Sequence, residues 1–450
     1  MKVIYFHIDE FNRDAITASV LKDESKKRGW VLIYGNRVTS PLLKHFEWVF
    51  DVVILPKPTF IKSIFGYDKI SSLKSKYVML YTENIGIIAN DVFPKMVLKG
   101  ALDEEFMSGM TSCVDKVSAF CFWGEQVSET VKKTYRSLAD RCYVVGHPRH
   151  DARALINENE NFVKETVGII SRYCTLNDYY SRHPIDTIFD RYVKKDLFEF
   201  NNIETGDFLQ WERRGACPDQ DLYLEAIDVK NTVLIINRLN EAGYKVSFKI
   251  HPREKVSTWV NVFERHDMNV DVVNSDMPFT KWAKLQRYVI GAPSTSFYDC
   301  LMVGVTPINI SGLDSQRHQF VSRMYEENNK LMPHINSPSS IDEILLLLES
   351  PRQLYDPSPD ILNVLKAEAN YPDCRKSGIM IGDVLEGVLQ SVRKRNLAMI
   401  LGRFTYQLIS FTLNLILSIT RKFGKLNSSH SANFLLTRSV KKAIDRLIYK

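Results

Sequence analysis

One histidine in the chain stands where a hydrophobic run meets a proline, in the stretch KIHPRE. His251 follows the run VSFKI, and Pro252 ends any strand there and fixes the turn. Open α/β sheets bind ligands at the carboxyl ends of their strands, which is the position predicted for this imidazole. An imidazole gains a charge near neutral pH, so it can hold a phosphate or donate a proton to it. Taken alone, a strand-end histidine is more often a cap for nearby backbone groups.

A second group of candidate ligand residues lies in the stretch GAPSTSF. Ser294, Thr295 and Ser296 occupy the turn between a predicted strand and a predicted helix. The first turn of a helix offers backbone N–H groups to an anion, although Ser and Thr also cap helices with no ligand present. KIHPRE and this turn lie one or two strands apart in the same predicted sheet. We therefore expect both to contact one phosphate.

Other charged residues carry weaker signals. Asp219 and Asp221 have the D-x-D spacing of a metal-binding motif, but a position just before a long helix is more typical of an N-cap. A charged turn near residue 150 is either part of a ligand site or a structural hinge network; it contains His147, Arg149, His150 and Asp151. The chain has no G-x-G-x-x-G after its first strand and no G-x-x-x-x-G-K-[ST], which argues against dinucleotide enzymes and NTPases. We expect neither a metal nor a bound cofactor.

The elements that must position these residues are predicted from hydrophobic periodicity. The first 150 residues contain six short apolar runs: VIYFHI, WVLIYG, DVVILP, YVMLY, AFCFWG and CYVVG. Helical patterns separate several of them, for example at 13–28 and 125–138. Continuous apolar strands that alternate with helices predict a parallel sheet covered on both faces. Residues 1–150 are thus predicted to form a Rossmann-like domain.

The alternation stops and then resumes further along the chain. Residues 151–220 are polar and irregular, and we interpret them as a linker with an irregular helical segment. A helical pattern follows at 222–242, and then the runs VSFKI, NVDVV, YVIG and TPINI, which predict a second Rossmann-like domain over 221–390. A chain of 450 residues is long enough for two or three domains. The predicted fold is α/β, with two such domains facing a central cleft.

The last 60 residues, 391–450, differ from the rest in charge and pattern. They hold 12 Lys and Arg residues and one acid, whereas 47 bases and 52 acids precede them. An apolar stripe predicts an amphipathic helix, and it consists of Phe404, Leu408, Phe411, Leu415 and Ile419. A polar stripe runs beside it, from Arg403 to Arg421, and a second basic amphipathic stretch follows at 436–447. We expect this tail to lie on an anionic membrane surface rather than to span the membrane; the alternative is packing on the protein or on a second copy.

Composition restricts the compartment and the class of partner. The seven cysteines are scattered, odd in number and never at C-x-x-C spacing, which argues against a disulfide framework or a zinc ribbon. The N-terminal apolar run meets acidic residues before any cleavage pattern, so it predicts a strand and not a signal peptide. The body of the chain is mildly acidic, which argues against nucleic acid as a partner. We expect a cytoplasmic protein, peripheral on the inner face of the cytoplasmic membrane.

The order of these motifs resembles that of a family of bacterial surface-carbohydrate biosynthesis proteins. The resemblance covers most of residues 1–320 and rests on a first strand followed by Asp9, Arg13 and Asp14, and on the stretches FWGE, VVGHPRHD, KIHPRE and STS. The family is similar to GT-B glycosyltransferases that use CMP-activated Kdo or sialic acid. It implies a GT-B-like fold and a sugar nucleotide as the donor.

The resemblance also implies roles for individual residues. The nucleotide-binding residues would be His251, Pro252, Arg253 and Glu254 with Ser294, Thr295 and Ser296, while Asp9, Arg13 and Asp14 would lie on the acceptor side. In the CMP-sugar enzymes an acidic motif supplies the catalytic base, which corresponds to Glu83 in YTENIG. Thr82 and Asn84 stand where the family has an acid and a glycine, so Glu83 alone represents that motif.

The function that this implies is transfer of a CMP-activated ulosonic acid, such as Kdo, to a surface polysaccharide. Glu83 and His251 would be the catalytic residues, and the acceptor would belong to an O-antigen, a capsule or a lipopolysaccharide. Two other enzyme classes use similar two-domain folds, namely polyol-phosphate transfer from a CDP-alcohol and epimerisation of a UDP-sugar. A catalytically inactive membrane-bound scaffold is the alternative outside enzymes, because the acidic motif is incomplete.

Overall fold

The computed structural model of the chain describes residues 2–8, 11–36, 38–56, 59–81, 113–134, 136–155, 166–178, 183–185, 218–274, 277–314, 330–349, 357–390 and 397–422. The chain divides into two compact units. The first consists of Met1–Ile85, Asn90–Ile156 and Lys366–Lys450, and the second of Gly86–Ala89 and Asn157–Leu365. The chain therefore leaves the first unit twice, briefly at Gly86–Ala89 and then for Asn157–Leu365, and returns to it each time.

The helices of the described residues are numbered along the chain. Those of the first unit before residue 157 are α1 (Phe11–Lys27), α2 (Leu43–Phe46), α3 (Thr59–Phe65), α4 (Glu125–Thr134) and α5 (Ala152–Leu155). Those that follow in the second unit are α6 (Pro218–Glu241), α7 (Val256–Arg265), α8 (Phe279–Lys284), α9 (Ser296–Met302) and α10 (Ile341–Glu349). The last three are α11 (Pro359–Ala369), α12 (Ser377–Gln390) and α13 (Leu397–Lys422).

The described part of the first unit contains one parallel sheet. Its strands are β1 (Val3–Ile8), β2 (Val31–Asn36), β3 (Val52–Leu55), β4 (Lys76–Leu80), β5 (Val117–Phe122) and β6 (Cys142–Val144). They lie in the order β2-β1-β3-β4-β5-β6, and each pairs with its neighbours in parallel. All six apolar runs predicted as strands in this region are confirmed. β1 and β3 are buried along their whole length, which is why their sequences are continuously apolar.

The described part of the second unit contains the other parallel sheet. Its strands are β7 (Thr166–Ile170), β8 (Lys245–Lys249), β9 (Val270–Val273), β10 (Gln286–Gly291) and β11 (Thr306–Asn309). They lie in the order β11-β10-β7-β8-β9, again with parallel neighbours. The core on one face is aromatic, because Phe248 of β8 packs at ring-centroid distances of 4.8 Å from Trp259 and 5.2 Å from Phe263 on α7. The prediction of two parallel α/β domains is confirmed.

The central strand of the second sheet was not predicted. β7 lies inside residues 151–220, which the sequence pattern indicated as a linker, so that interpretation is wrong for this stretch. Gly168 interrupts the short apolar run TVGII and weakens its signal as a strand. The fold needs this glycine, because a Cβ there would lie 2.7 Å from Gln286 Cγ and 2.8 Å from Trp282 Cη2.

The predicted C-terminal limit of the second domain, residue 390, also differs from the structure. The second unit ends at Leu365, and the chain then returns to the first unit. Ile381, Leu385 and Leu389 of α12 are buried in one hydrophobic core with residues of β1, β3, β4 and β5. The apolar stripe of α12 thus covers the first sheet. A local pattern predicts such a stripe but not which sheet it covers.

Helix α13 packs on the first unit through part of its polar side. Tyr406 is fully buried and makes edge-to-face contacts with Phe50 and Tyr5, at ring-centroid distances of 5.1 and 6.3 Å. Asn414 accepts a side-chain hydrogen bond of 3.1 Å from Asn36. The apolar side is exposed, with Leu401, Phe404, Leu408, Phe411 and Leu415 between 47 and 68% accessible. We call these five residues the apolar stripe of α13.

This orientation is the reverse of that in an ordinary surface helix, whose apolar side faces the core. Packing on the protein, which the sequence left as an alternative, therefore accounts for one side of α13 only. Across the described ranges, no helix has the length and apolar character needed to cross a membrane. The second basic amphipathic stretch, at 436–447, lies outside the described residues.

Candidate functional site

His251 lies two residues beyond the end of β8, at the carboxyl edge of the second sheet, as predicted. Its side chain is half-buried, and its backbone N–H donates a hydrogen bond of 2.8 Å to Ser171 Oγ. Ser171 follows β7 directly and also donates to the Lys249 carbonyl oxygen. The turns after the two adjacent strands are therefore bonded to each other at the histidine.

The contacts of the His251 ring favour one tautomer. The backbone N–H of Arg253 donates to Nδ1 at 3.2 Å, so Nδ1 acts as an acceptor. A neutral imidazole that accepts at Nδ1 carries its proton on Nε2. The residues around the ring differ in exposure, with Pro252 half-buried and Arg253 exposed. In the tight HPR turn, Nε2 is therefore the hydrogen-bond donor of the His251 ring.

Arg172 joins the turn after β7 to the turn after β10. Its Nη1 donates a hydrogen bond to the Pro293 carbonyl oxygen, just before the predicted Ser/Thr turn. Arg172 itself is exposed at this edge of the sheet. Sequence reasoning missed both Arg172 and Ser171, because it placed them in a linker. The signal that would have found them is the short β-branched run just before them.

The turn of Ser294, Thr295 and Ser296 lies where it was predicted, between β10 and α9. All three side chains are half-buried, and the backbone N–H of Ser296 donates to Ser294 Oγ at 3.2 Å. The Ser294 and Ser296 hydroxyl oxygens lie 3.3 Å apart, and Thr295, at the N-cap, makes no capping bond with its side chain. Two of the three hydroxyls therefore converge on one point of the turn.

Gly291 allows this turn to approach β7. A Cβ at Gly291 would lie 2.2 Å from Ile170 Cγ1, so no other residue fits without displacing one of the two strand ends. His251, Arg172 and the Ser/Thr turn consequently share one edge of the sheet, on the neighbouring strands β8, β7 and β10. The edge combines an imidazole, a guanidinium and hydroxyl groups, which together suit an anionic oxygen ligand.

Glu254 does not have the position predicted for a nucleotide-binding residue. It is 1% exposed, and its carboxylate accepts hydrogen bonds from the Tyr173 backbone N–H at 2.9 Å and from Trp259 Nε1 at 2.8 Å. Burial raises the pKa of Glu254 to about 7. The prediction that Glu254 binds the nucleotide is therefore corrected. Glu254 is buried and links the turn after β7 to α7 through hydrogen bonds.

Two further side chains support the turns after β7 and β8. Cys174 Sγ is 3.1 Å from His251 Nδ1, and burial, together with the nearby carboxylates of Glu254 and Glu225, raises the pKa of the Cys174 thiol. Glu225 of α6 accepts hydrogen bonds from the backbone N–H groups of Thr175 at 2.8 Å and Leu176 at 2.9 Å. Burial raises the pKa of Glu225 to about 7. Two acidic side chains thus hold the turn after β7: Glu225 of α6, and Glu254 of the turn before α7.

The candidates in the first unit give a mixed result. Glu83 and Asp9 lie outside the described residues, so their roles stay predictions. Arg13 and Asp14 belong to the first turn of α1, and Asp14 is fully buried. Full burial favours a structural role for Asp14 over contact with an acceptor.

The charged turn near residue 150 is structural in its contacts. Its members His147, Arg149, His150 and Asp151 are all buried, and the Arg149 guanidinium lies over Trp123 at 4.6 Å. The Asp151 carboxylate accepts from the Gly378 backbone N–H at 2.8 Å, which anchors the start of α12. Burial is the largest single influence and acts to raise the pKa of Asp151. The hydrogen bonds from Gly378 and from the Arg153 side chain together outweigh it, so the pKa lies below its ordinary value. The hinge-network interpretation is the one that these contacts favour.

Asp219 and Asp221 fall within the first turn of α6, which begins at Pro218. That position agrees with a helix-start role for the D-x-D pair.

Comparison with known proteins identifies the fold. Neither the protein-family models nor the curated proteins give a match to the chain. Among solved structures, S. aureus MnaA in complex with UDP is 10% identical, covers 88% of this chain and 99% of its own, and has a TM-score of 0.50. At this identity the likeness is one of fold, and it agrees with the two parallel-sheet α/β domains described above.

Two further solved structures have lower TM-scores. UDP-GlcNAc 2-epimerase of Methanocaldococcus jannaschii, with UDP-GlcNAc and UDP, is 14% identical over 86% of this chain and 100% of its own, at 0.45. A variant of the wall teichoic acid polymerase TagF soaked with CDPG is 8% identical over 86% of this chain and 88% of its own, also at 0.45.

Proposed function

We propose that the carboxyl edge of the second sheet binds the phosphate of a sugar nucleotide. The observation that carries this proposal is the linkage of three turns by hydrogen bonds: Ser171 to His251, and Arg172 to Pro293. It brings one permanent cation, one titratable donor and the Ser294–Ser296 hydroxyls to the same edge. Phosphate oxygens are acceptors that such donors bind strongly, because the hydrogen bonds are charge-assisted.

The reaction that we propose is glycosyl transfer. His251 would donate a proton or a hydrogen bond through Nε2 to the leaving phosphate, and Arg172 would neutralise the charge that develops on it. Glu83 would deprotonate the acceptor hydroxyl. The donor would be a CMP-activated ulosonic acid such as Kdo, and the acceptor a surface polysaccharide. No metal is needed for the leaving group if these donors carry its charge.

The apolar stripe of α13 favours transfer over epimerisation. A transferase that extends a lipid-linked glycan works at a membrane, whereas the substrate and product of an epimerase are both water-soluble. An exposed apolar stripe beside a basic tail is suited to an anionic membrane surface. We therefore include peripheral association with the inner face of the cytoplasmic membrane in the proposal.

Epimerisation of a UDP-sugar is the second candidate. The observation that supports it is the fold that this chain shares with MnaA, whose structure contains UDP. Polyol-phosphate transfer from a CDP-alcohol would use the same phosphate site. A catalytically inactive scaffold would need no such site.

Thermal unfolding in the presence of CMP, CDP, UDP or GDP tests the nucleotide site. A nucleotide that binds only the folded protein raises Tm by mass action, and we expect CMP to give the largest rise. His251→Ala should remove that rise while the protein still folds, because the half-buried ring contributes little to the core. If no nucleotide shifts Tm, the proposed site is wrong.

Product analysis then separates the reactions. Incubation with a CMP-sugar should release CMP, slowly by hydrolysis and faster with an acceptor, whereas incubation with UDP-GlcNAc should leave the sugar configuration unchanged. Conversion of UDP-GlcNAc to its 2-epimer would establish the second candidate instead. Binding without turnover of either donor would indicate the scaffold.

A further inference from the structure

Three side chains of different chemistry meet beneath the HPR turn. Cys174 Sγ, a ring nitrogen of His251 and a carboxylate oxygen of Glu254 all lie within 4.8 Å of one another. One of these separations, from Sγ to Nδ1, is 3.1 Å. The sequence predicts no metal, and Cys174 and His251, 77 residues apart, belong to no metal-binding motif. Only the pairing of β7 with β8 brings them together.

The Glu254 side chain and the His251 backbone are held in place by hydrogen bonds from outside the cluster. The Glu254 carboxylate is fixed by the Tyr173 N–H and by Trp259 Nε1, and the side chains of Ser171 and Asn177 also hydrogen-bond to it. The His251 backbone is fixed by Ser171. Ligands oriented in this way before a metal binds are typical of protein metal sites, where outer hydrogen bonds set the direction of each ligand.

The ligand set selects the class of ion. A thiolate is too soft a ligand for Mg²⁺ or Ca²⁺, whereas sulfur, imidazole nitrogen and carboxylate oxygen together suit Zn²⁺. A thiolate and a carboxylate also neutralise a divalent ion completely. The loaded cluster would therefore bury no net charge, which avoids the cost of an uncompensated buried ion.

We propose that Cys174, His251 and Glu254 bind one Zn²⁺ ion. The ion takes Nδ1 of His251 in place of the Arg253 N–H, and the thiol releases its proton to solvent as the ion binds. Coordination at Nδ1 keeps the ring proton on Nε2, so the ion fixes the tautomer that donates toward a ligand at the sheet edge. Three protein ligands leave the fourth tetrahedral position for an oxygen ligand such as water. The cluster binds the ion whether or not a nucleotide binds, so this site goes beyond the proposed function and does not rest on it.

Cobalt substitution tests the site in the full-length protein. The protein is freed of metal with a chelator, checked for folding by circular dichroism and titrated with Co²⁺. We expect an absorption band in the near ultraviolet from thiolate-to-cobalt charge transfer, with visible bands of tetrahedral Co²⁺, saturating at one equivalent. Zn²⁺ should then abolish these bands by displacing Co²⁺. A folded wild-type protein that shows no charge-transfer band overturns the proposal, whatever the variants do.

Two variants assign the ligands. Cys174→Ser should lose the charge-transfer band and weaken Zn²⁺ binding on the order of 100-fold or more, since losing a ligand costs at least as much as losing an outer-shell partner. Cys142→Ser is the matched control, because Cys142 is also a free thiol but is buried on β6 of the first unit. It should keep both the band and the affinity. A band that persists in Cys174→Ser, or disappears in Cys142→Ser, contradicts the assignment.

Discussion

Two side chains at the edge of the second sheet bring positive charge in different ways. Arg172 is charged at every physiological pH and is anchored by one bond to the Pro293 carbonyl, while His251 is charged only when protonated. A ligand with two negative charges would draw on both. The arginine therefore sets the basal affinity for an anion, and the histidine adds a directed hydrogen-bond donor.

Arg172→Ala should weaken binding of the nucleotide identified by thermal shift by about 10- to 100-fold, which corresponds to the roughly 1.5–3 kcal/mol of a charge-assisted hydrogen bond. Arg172→Lys should lie between, because lysine keeps the charge but not the planar fork. Calorimetric titration measures both. The matched control is Arg238→Ala, which removes an exposed arginine of α6 that pairs with Glu241 and Asp342. Equal affinities in Arg172→Ala and wild type would mean that Arg172 links the two turns but does not bind the nucleotide.

Glu368 on α11 should make the stability of the first unit depend on pH. Burial raises the pKa of Glu368 from 4.5 to about 8. Between these values the folded protein keeps a proton that the unfolded chain releases, so the free energy of unfolding falls as pH rises through this window. Glu368→Gln removes the ionisation, and its stability relative to wild type should therefore increase from about pH 5 to about pH 8.5.

Urea unfolding of both proteins across that range is the measurement for Glu368. Glu264→Gln, at an exposed position of α7, serves as the control and should run parallel to wild type. A difference between Glu368→Gln and wild type that stays constant with pH would mean that Glu368 is ionised in the folded protein throughout the range.

At the scale of elements, the candidate site depends on how closely the ends of three parallel strands approach. β7 lies between β8 and β10, and its following turn is bonded to the turns of both neighbours. Glu225 of α6 fixes that turn from behind. The site is therefore a property of strand packing, and a change in packing should disturb it without touching any ligand residue.

Gly291→Ala should show this dependence. The new Cβ would lie 2.2 Å from Ile170 Cγ1 and 2.9 Å from Ile170 Cδ1, so β7 and β10 must separate or Ile170 must move. Overpacking of this kind costs about 1–3 kcal/mol of stability, and nucleotide affinity should fall as the turns move apart. Ile170→Ala removes both clashing atoms. The double variant should be more stable than the sum of the single changes predicts, by about 0.5–3 kcal/mol for residues in contact.

Denaturation of the wild type, the two single variants and the double variant gives this coupling energy. Additive effects within about 0.5 kcal/mol would mean that the contact between Gly291 and Ile170 does not control the approach of the strands.

At the scale of the whole chain, the C-terminal segment has two roles in the first unit. α12 completes the hydrophobic core of the first sheet, and α13 contributes Tyr406 to a buried aromatic cluster with Phe50 and Tyr5. Removing residues 391–450 would therefore uncover that cluster as well as remove the tail. Point substitutions on the apolar stripe of α13 test membrane binding more cleanly than truncation does.

Replacing Phe404, Leu408, Phe411 and Leu415 with serine should reduce flotation with anionic vesicles while leaving Tm unchanged, because these side chains are exposed. Wild type should bind anionic vesicles more than neutral ones, since each well-placed Lys or Arg adds about 1 kcal/mol. Salt should weaken this binding without abolishing it, because burial of the apolar stripe is not screened. Leu346→Ser, which removes an exposed leucine of α10 in the second unit, is the control and should float like wild type.

A different outcome would assign the stripe to a second copy of the chain. In that case the wild type would sediment as a dimer, the serine variant would sediment as a monomer, and neither would float with vesicles.

The sequence by itself determined most of the elements and several of their ends. Continuous apolar runs between helical patterns predicted ten of the strands described, and a proline after an apolar run placed His251 at a strand end. The polar and apolar stripes of α13 were also predicted, because residues three or four apart lie on the same face of a helix. These features are local, since each depends on residues within about one element's length of one another.

Only the tertiary structure decided which elements meet. β7 was not predicted, because Gly168 disfavours a strand locally. The structure requires a glycine there, because Trp282 and Gln286 approach it closely. The burial of Glu254, the contact of Cys174 with His251 and the return of α12 to the first sheet depend on residues far apart in sequence. The orientation of α13 follows the same rule: periodicity defined its two faces, but the pocket around Tyr5 and Phe50 selected the one that packs. Which surfaces become neighbours is set by long-range packing, and that information is absent from any single stretch of sequence.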